Sequence, residues 1–292
     1  LTFIIFWAGG FTFGKMGLSS AGPFTLLSMR YFLTGLAFVV MFLWLRPALP
    51  KAKSDWQQIL ISGLILQVVY FSCVYMAMAY GLTAGAVAVI ACLQPILIAI
   101  LSPKITGETI KPRQWFGFVL GLAGSMLVVG TQAEINFQSG LGIFLAVGAL
   151  LTMATHTLYE KRTGTNQHPI TVNLIQNAIG FLITFLLAVL IENYQFEVTR
   201  DLYTSLFYLV ICNSIIAVTL LLGMIRYGEA SKVSALFFLI PPAAVIIAWV
   251  FLGETIELIA WFGVLATAIG VVFARSDNAK DITVPINKET RS

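Results

Sequence analysis

The chain has 292 residues, of which 59% are hydrophobic and only 10% charged, with a formal net charge of +4. At a mean hydropathy of +0.91 it carries more apolar surface than one soluble core can hide, which excludes an ordinary soluble domain. The small positive excess follows chain order in a way that membrane topology explains, so no nucleic-acid partner is invoked.

A helix that crosses a bilayer needs about 20 residues, predominantly apolar. Runs of that size predict five helices near 1–18, 23–45, 56–80, 84–102 and 113–130. Five more follow near 140–160, 169–191, 202–225, 231–252 and 257–274. The runs lack period-two alternation, which excludes a barrel, and an open sheet edge cannot sit in lipid. The chain opens at Leu1 inside an apolar run, so residues upstream of it are expected. No cleavable signal pattern is visible, and the first run reads as a helix that stays. The expected fold class is an all-α polytopic membrane protein with ten transmembrane helices.

The ten fall into two sets. Gly107-Glu108-Thr109-Ile110 followed by Trp115-Phe116-Gly117 returns as Gly253-Glu254-Thr255-Ile256 and Trp261-Phe262-Gly263. The offset is 146 positions, from 107 to 253, and it also carries Pro95 onto Pro241, Gly124 onto Gly270 and Lys15 onto Lys161. Two homologous halves are expected, 1–139 and 140–275, followed by a polar, disordered cytoplasmic tail at 276–292. With both termini in the cytoplasm, fourteen Lys and Arg residues lie in inner segments and Arg200 alone lies outside, with Lys15 and Arg30 within helices. That asymmetry fixes the orientation, in an inner or plasma membrane. Five is odd, so the second half enters from the opposite side and the repeats are inverted. Such halves can exchange roles during alternating access, with the solute held near the midplane between them.

Trp7-Ala8-Gly9-Gly10-Phe11, Arg30-Tyr31, Gln94-Pro95 and the two Gly-Glu and Trp-Phe-Gly blocks resemble the EamA-type branch of the drug/metabolite transporter superfamily. The resemblance covers 1–275. It implies ten helices, inverted repeats and transport of small metabolites, often export of amino acids. His156 departs from it, standing mid-helix where a small or apolar residue is expected.

The offset pairs Gln67 with Asn213, two amides near the middle of long apolar helices, and it pairs Arg30 with Gln176 and Gly10 with His156. A polar group in the bilayer core needs partners or water, so these residues should face the bundle interior. Gln67 and Asn213 are expected to line a cavity; the competing reading is a hydrogen bond that only glues helices. At helical spacing Gln67 shares its stripe with Tyr70, Phe71 and Val74, His156 with Thr152, Tyr159 and Glu160, and Gly10 with Trp7 and Gly14. Trp7, Gly10, Gln67, Tyr70, Phe71, His156, Tyr159 and Asn213 are therefore the candidate substrate-binding residues. Their surroundings suit a zwitterionic or amphipathic solute better than a phosphorylated one.

His156 titrates near physiological pH when unperturbed and has Glu160 one turn away, so the two are candidates for a coupling proton. The alternatives are a neutral histidine bonded to a threonine or a carbonyl, and a surface charge at Glu160 beside Lys161 and Arg162. Arg30 reads first as a structural clamp, with carboxylate binding as the alternative, and Lys15 as a helix-end lysine. Pro95 and Pro241 should bend their helices and free the carbonyls of Ala91 and Phe237, making them candidate hinges or gates. The last helix of each half is nearly without hydroxyls, and Gly117 with Gly121 forms a small-residue ridge, so this pair reads as scaffold.

Enzymatic signals fail. Gly9 to Lys15 fits G-x-x-x-x-G-K, but Met16 replaces the required hydroxyl residue and no strand precedes it. H-E-x-x-H and G-x-S-x-G are missing, and no cofactor or metal is expected. Cys73, Cys92 and Cys212 fall within predicted spans and read as apolar fillers. The expected function is a secondary transporter that exports amino acids or related metabolites, with protons as a candidate coupling ion. The alternatives are a membrane-embedded enzyme acting on lipid and a transporter of nucleotide sugars or drug-like solutes.

Overall fold

The structure, a computed structural model, describes residues 2–130, 139–164, 167–244, 246 and 257–275. The second Gly-Glu-Thr-Ile block, residues 131–138 and residues 276–292, where the tail is expected, lie outside the described residues. The first half contains α1 (Thr2–Gly17), α2 (Pro23–Leu45), α3 (Lys53–Gly63), a π-helical stretch (Leu64–Tyr70), α4 (Phe71–Ala79), α5 (Ala84–Ala91), α6 (Gln94–Ile105) and α7 (Pro112–Gly130). The second contains α8 (Gly140–Thr163), α9 (Pro169–Glu192), α10 (Arg200–Tyr208), a second π stretch (Leu209–Val218), α11 (Thr219–Tyr227), α12 (Ala230–Ser234), a 3₁₀ stretch (Ala235–Leu239) and α13 (Leu258–Arg275).

Local chemistry sets the boundaries. Proline occupies the first turn of both α2 and α9, where its missing N–H costs nothing. Thr83, Ser139 and Thr199 cap α5, α8 and α10 through side-chain oxygens that accept from the backbone N–H groups of Ala86, Gly142 and Leu202. Among the described residues, eight helical rods are long and apolar enough to cross a membrane, one of them, Ala84–Ile105, with a break inside it. The ten-helix expectation is modified accordingly: α1 has 16 residues, and the ninth predicted helix is described only as a shorter apolar helix, Ala230–Ala244.

Predicted helices 4 and 9 are interrupted rather than bent. The former breaks at Cys92 and Leu93, so that Pro95 falls in the first turn of α6. The latter passes through its 3₁₀ stretch just before Pro241. The Phe237 carbonyl, expected to be free, accepts from the backbone N–H of Ile240. The carbonyl left by the neighbouring Pro242 is that of Phe238, and it accepts from Ser125 Oγ (2.8 Å). The one hydroxyl of α7 thus satisfies a proline-orphaned acceptor.

α7 packs along α13 and α2 along α9, each pair being equivalents at the 146-residue offset. A β-carbon at Gly117, Gly124, Gly263 or Gly270 would strike the backbone of the opposing helix. Glycine therefore sets how closely α7 and α13 approach. α1 packs on the second π stretch and α10, while α8 packs on the first π stretch and α4. Exchanging the halves turns the contact of α1 with the second π stretch into that of α8 with the first, whereas α10 corresponds to α3 and α4 to α11, so the other two contacts differ between the halves. Polar ties cross between the halves at their ends. Glu192 accepts from the N–H groups of Phe24 (3.0 Å) and Thr25 (2.8 Å) at the start of α2. Glu108 accepts from those of Ala230 (2.6 Å) and Ser231 (3.1 Å) at the start of α12, as anions favour a helix N-terminus. Lys15 reaches the opposite kind of end, donating to the carbonyl of Met78 (2.6 Å) near the end of α4. Trp44, Phe144, Leu190 and Val272 stand exposed on the outside, a surface suited to hydrocarbon.

Candidate functional site

The centre of the molecule lies where α1, the rod from Lys53 to Ala79 and the rod from Arg200 to Tyr227 meet. Trp7, Gly10, Phe11, Tyr70, Phe71, Val74, Tyr75 and Asn213 surround a void of about 10 Å³. A second void of the same size adjoins Phe11, Tyr70 and Val74 and reaches Gln94 and Met153. Each has room for about one water. Among the described residues, aromatic side chains fill most of the space around these two voids. The Trp7 ring stacks toward Tyr70 (6.3 Å) and meets Phe237 edge-on (5.6 Å).

Asn213 is the polar member of the first wall. Its Oδ1 accepts from Arg30 Nη2 (2.8 Å) and its Nδ2 donates to the Phe6 carbonyl (3.2 Å). Gly10 makes that position possible, since a β-carbon there would collide with the Asn213 amide. Behind the wall, Arg30 is fully buried. Its Nε donates to Ser214 Oγ (2.7 Å), its Nη1 to Tyr75 Oη (3.3 Å), and its guanidinium lies 4.1 Å from the Phe71 ring centroid.

A second buried cluster sits elsewhere in the halves' interface. Ser62 Oγ donates to Glu160 Oε2 (2.7 Å), accepts from Gln176 Nε2 (3.1 Å) and lies 3.1 Å from His156 Nε2. A hydroxyl has one proton and two lone pairs. With the proton committed to Glu160, His156 must donate from Nε2, which leaves Nδ1 as the atom without a partner. Glu160 is 5% exposed, so its reading as a surface charge is corrected: the rod carrying Ser62 covers that end of α8.

Five of the eight candidate substrate residues, Trp7, Gly10, Tyr70, Phe71 and Asn213, therefore meet around one void. His156 belongs to the second cluster. Tyr159 is half-buried and lines neither void. Gln67 is buried but also lines neither. Its backbone carbonyl accepts from Tyr31 Oη (2.5 Å), its β-carbon packs where Gly180 leaves space, and its Oε1 has no partner. Its predicted stripe assumed 3.6 residues per turn, whereas Gln67 stands inside the π stretch, which winds more widely. Of the candidate hinges, Pro95 follows Gln94, which lines the second void. Sequence reasoning passed over Tyr75 and Ser62, and it placed Arg30 and Gln176 in the bundle interior, with carboxylate binding by Arg30 only as the alternative to a structural clamp. The available signal for Arg30 was its charge within an apolar run.

The model of the EamA-like transporter family matches residues 1–130 and again 140–276. A Bacillus subtilis protein described as the uncharacterized transporter YvbV is 26% identical, over 98% of this chain and 94% of its own length. A probable amino-acid metabolite efflux pump of Salmonella typhimurium is 25% identical over 88% of this chain and 86% of its own. A solved crystal structure superposes with a TM-score of 0.78 at 17% identity, covering 94% of both chains, a likeness of fold.

Proposed function

Because the chain belongs to the EamA-like transporter family, a family of transporters rather than enzymes, we propose that it moves a small organic solute across the membrane by alternating access. The proposed cargo is an amino acid or related metabolite, and the proposed direction is export. The observation that carries this reading is the central void. Trp7, Gly10, Tyr70 and Phe71 come from the first family-matched segment and Asn213 from the second, so relative motion of the halves would open or close it. The relatives described as amino-acid metabolite efflux pumps support the cargo class. The equivalent contacts of α1 with the second π stretch and of α8 with the first support a two-fold relation of units 1–139 and 140–275, read as inverted because each unit has an odd number of predicted spans. Both termini are assigned to the cytoplasmic side of an inner membrane on the distribution of Lys and Arg. The Ser62, His156 and Glu160 cluster supports protons as the coupling ion.

Counterflow of labelled amino acids in proteoliposomes tests this reading. Purified protein should exchange at least one class of amino acid, and Asn213→Leu should lose that exchange while keeping its helical content. Absence of counterflow across the amino acids, or full exchange by Asn213→Leu, would refute it.

A further inference from the structure

We propose that Arg30 is the anchor for a solute carboxylate, so that the cargo is a carboxylic acid carrying an apolar or aromatic group. The assignment rests on reading the central void as the solute path, and it adds the chemical feature by which solutes are selected. A guanidinium has five N–H donors. Three are taken, by Ser214, Tyr75 and Asn213, and all three partners are neutral. Among the described residues no carboxylate pairs with Arg30, although it is fully buried. Two donors and a whole positive charge are thus held in a low-dielectric setting beside side chains that wall the void. Burying an unpaired charge is costly.

The other half of the molecule supplies the control. The position equivalent to Arg30 is Gln176, which is equally buried and braces its neighbours with a neutral donor, Nε2 to Ser62 Oγ (3.1 Å). The fold therefore needs a donor at this place and does not need a charge. Asn213 and Tyr75 touch both the guanidinium and the void. Rotation of either would bring the fork of Arg30 to the solute, where two parallel N–H donors match a carboxylate. Phe71, which covers the guanidinium and also lines the void, would then meet the apolar part of the same molecule.

The test compares 3-phenylpropionate with 3-phenylpropionamide, and L-phenylalanine with its amide, on the purified full chain and on Arg30→Gln and Arg30→Lys. Binding is read as thermal stabilisation, and transport as counterflow in proteoliposomes. The acids should stabilise the wild-type protein and exchange at least about tenfold better than the amides, the scale of one charge-assisted fork. Arg30→Gln, which copies the opposite half and should fold, should bring that ratio to about one, and Arg30→Lys should recover only part of it. Equal stabilisation by acid and amide in the wild type, stabilisation by neither, or an unchanged preference in Arg30→Gln would overturn the assignment. Selective binding of the acids without any counterflow would support the anchor while refuting transport of these solutes, so the two claims fail separately.

Discussion

Two buried polar clusters occupy the interface between the halves, built around equivalent positions, and they have taken opposite signs. Around Arg30 the cluster is cationic and borders a void lined by aromatic rings. Around Gln176 it contains a carboxylate, Glu160, and a histidine, with Ser62 at the hub. At the same offset Gly10 corresponds to His156. A missing side chain leaves room for Asn213 on one side, while an imidazole fills the corresponding space on the other. The duplication thus conserved the frame and let the chemistry diverge.

Substitutions can break that contrast, and the largest effect is expected at the cationic cluster. Asn213→Leu removes an acceptor from a buried guanidinium, which should lower stability in detergent by about 2–3 kcal/mol, as for other hydrogen bonds to charged groups. Asn213→Asp, measured beside it, should restore that stability by pairing with Arg30. Next comes Ser62→Ala, which strands Gln176 Nε2 and His156 Nε2 together and should cost about 1–3 kcal/mol in a denaturant melt. Glu160→Gln keeps an acceptor for Ser62 and should cost under about 1 kcal/mol. Its effect should appear as loss of the response of counterflow to an imposed pH gradient. The smallest change belongs to Gln67→Leu. Its Oε1 already lacks a partner, so removing the amide should shift the melt by less than about 1 kcal/mol and leave exchange largely intact. Loss of exchange in Gln67→Leu would mean that the two amides still act as a pair.

Much of this frame was legible in the sequence. The apolar runs located most helices, and the single offset linked the residues that now pack as α2 on α9 and α7 on α13. Composition near Gly117 and Gly121 announced a close helix pair. What escaped reading has definite causes. A charge near the end of a helix looks solvated, yet Glu160 is covered by a rod more than ninety positions away in the chain. Arg30 reads first as a clamp, and it does brace Ser214, Tyr75 and Asn213, but which side chains it would hold depends on tertiary contacts far along the chain. Glu108 was visible only as part of a repeated block, and its task at the start of α12 is a tertiary contact. Prolines signalled bends at helices 4 and 9, but that these are interruptions, and which carbonyl is orphaned, depended on the turn at Cys92 and Leu93 and the 3₁₀ winding before Pro241.

The wide turns through Gln67 and Asn213 carry one more consequence. A π turn spends more residues on each revolution than the 3.6 of an ordinary helix, so everything past it is rotated relative to an unbroken α pattern, by about 100° for each residue of surplus. In the rod from Lys53 to Ala79 that rotation determines which way Tyr75 looks, and hence whether its phenol can meet Arg30 at all. Deleting one residue between Leu64 and Tyr70 would turn the rod beyond it by about 100° and carry the Tyr75 phenol away from Arg30.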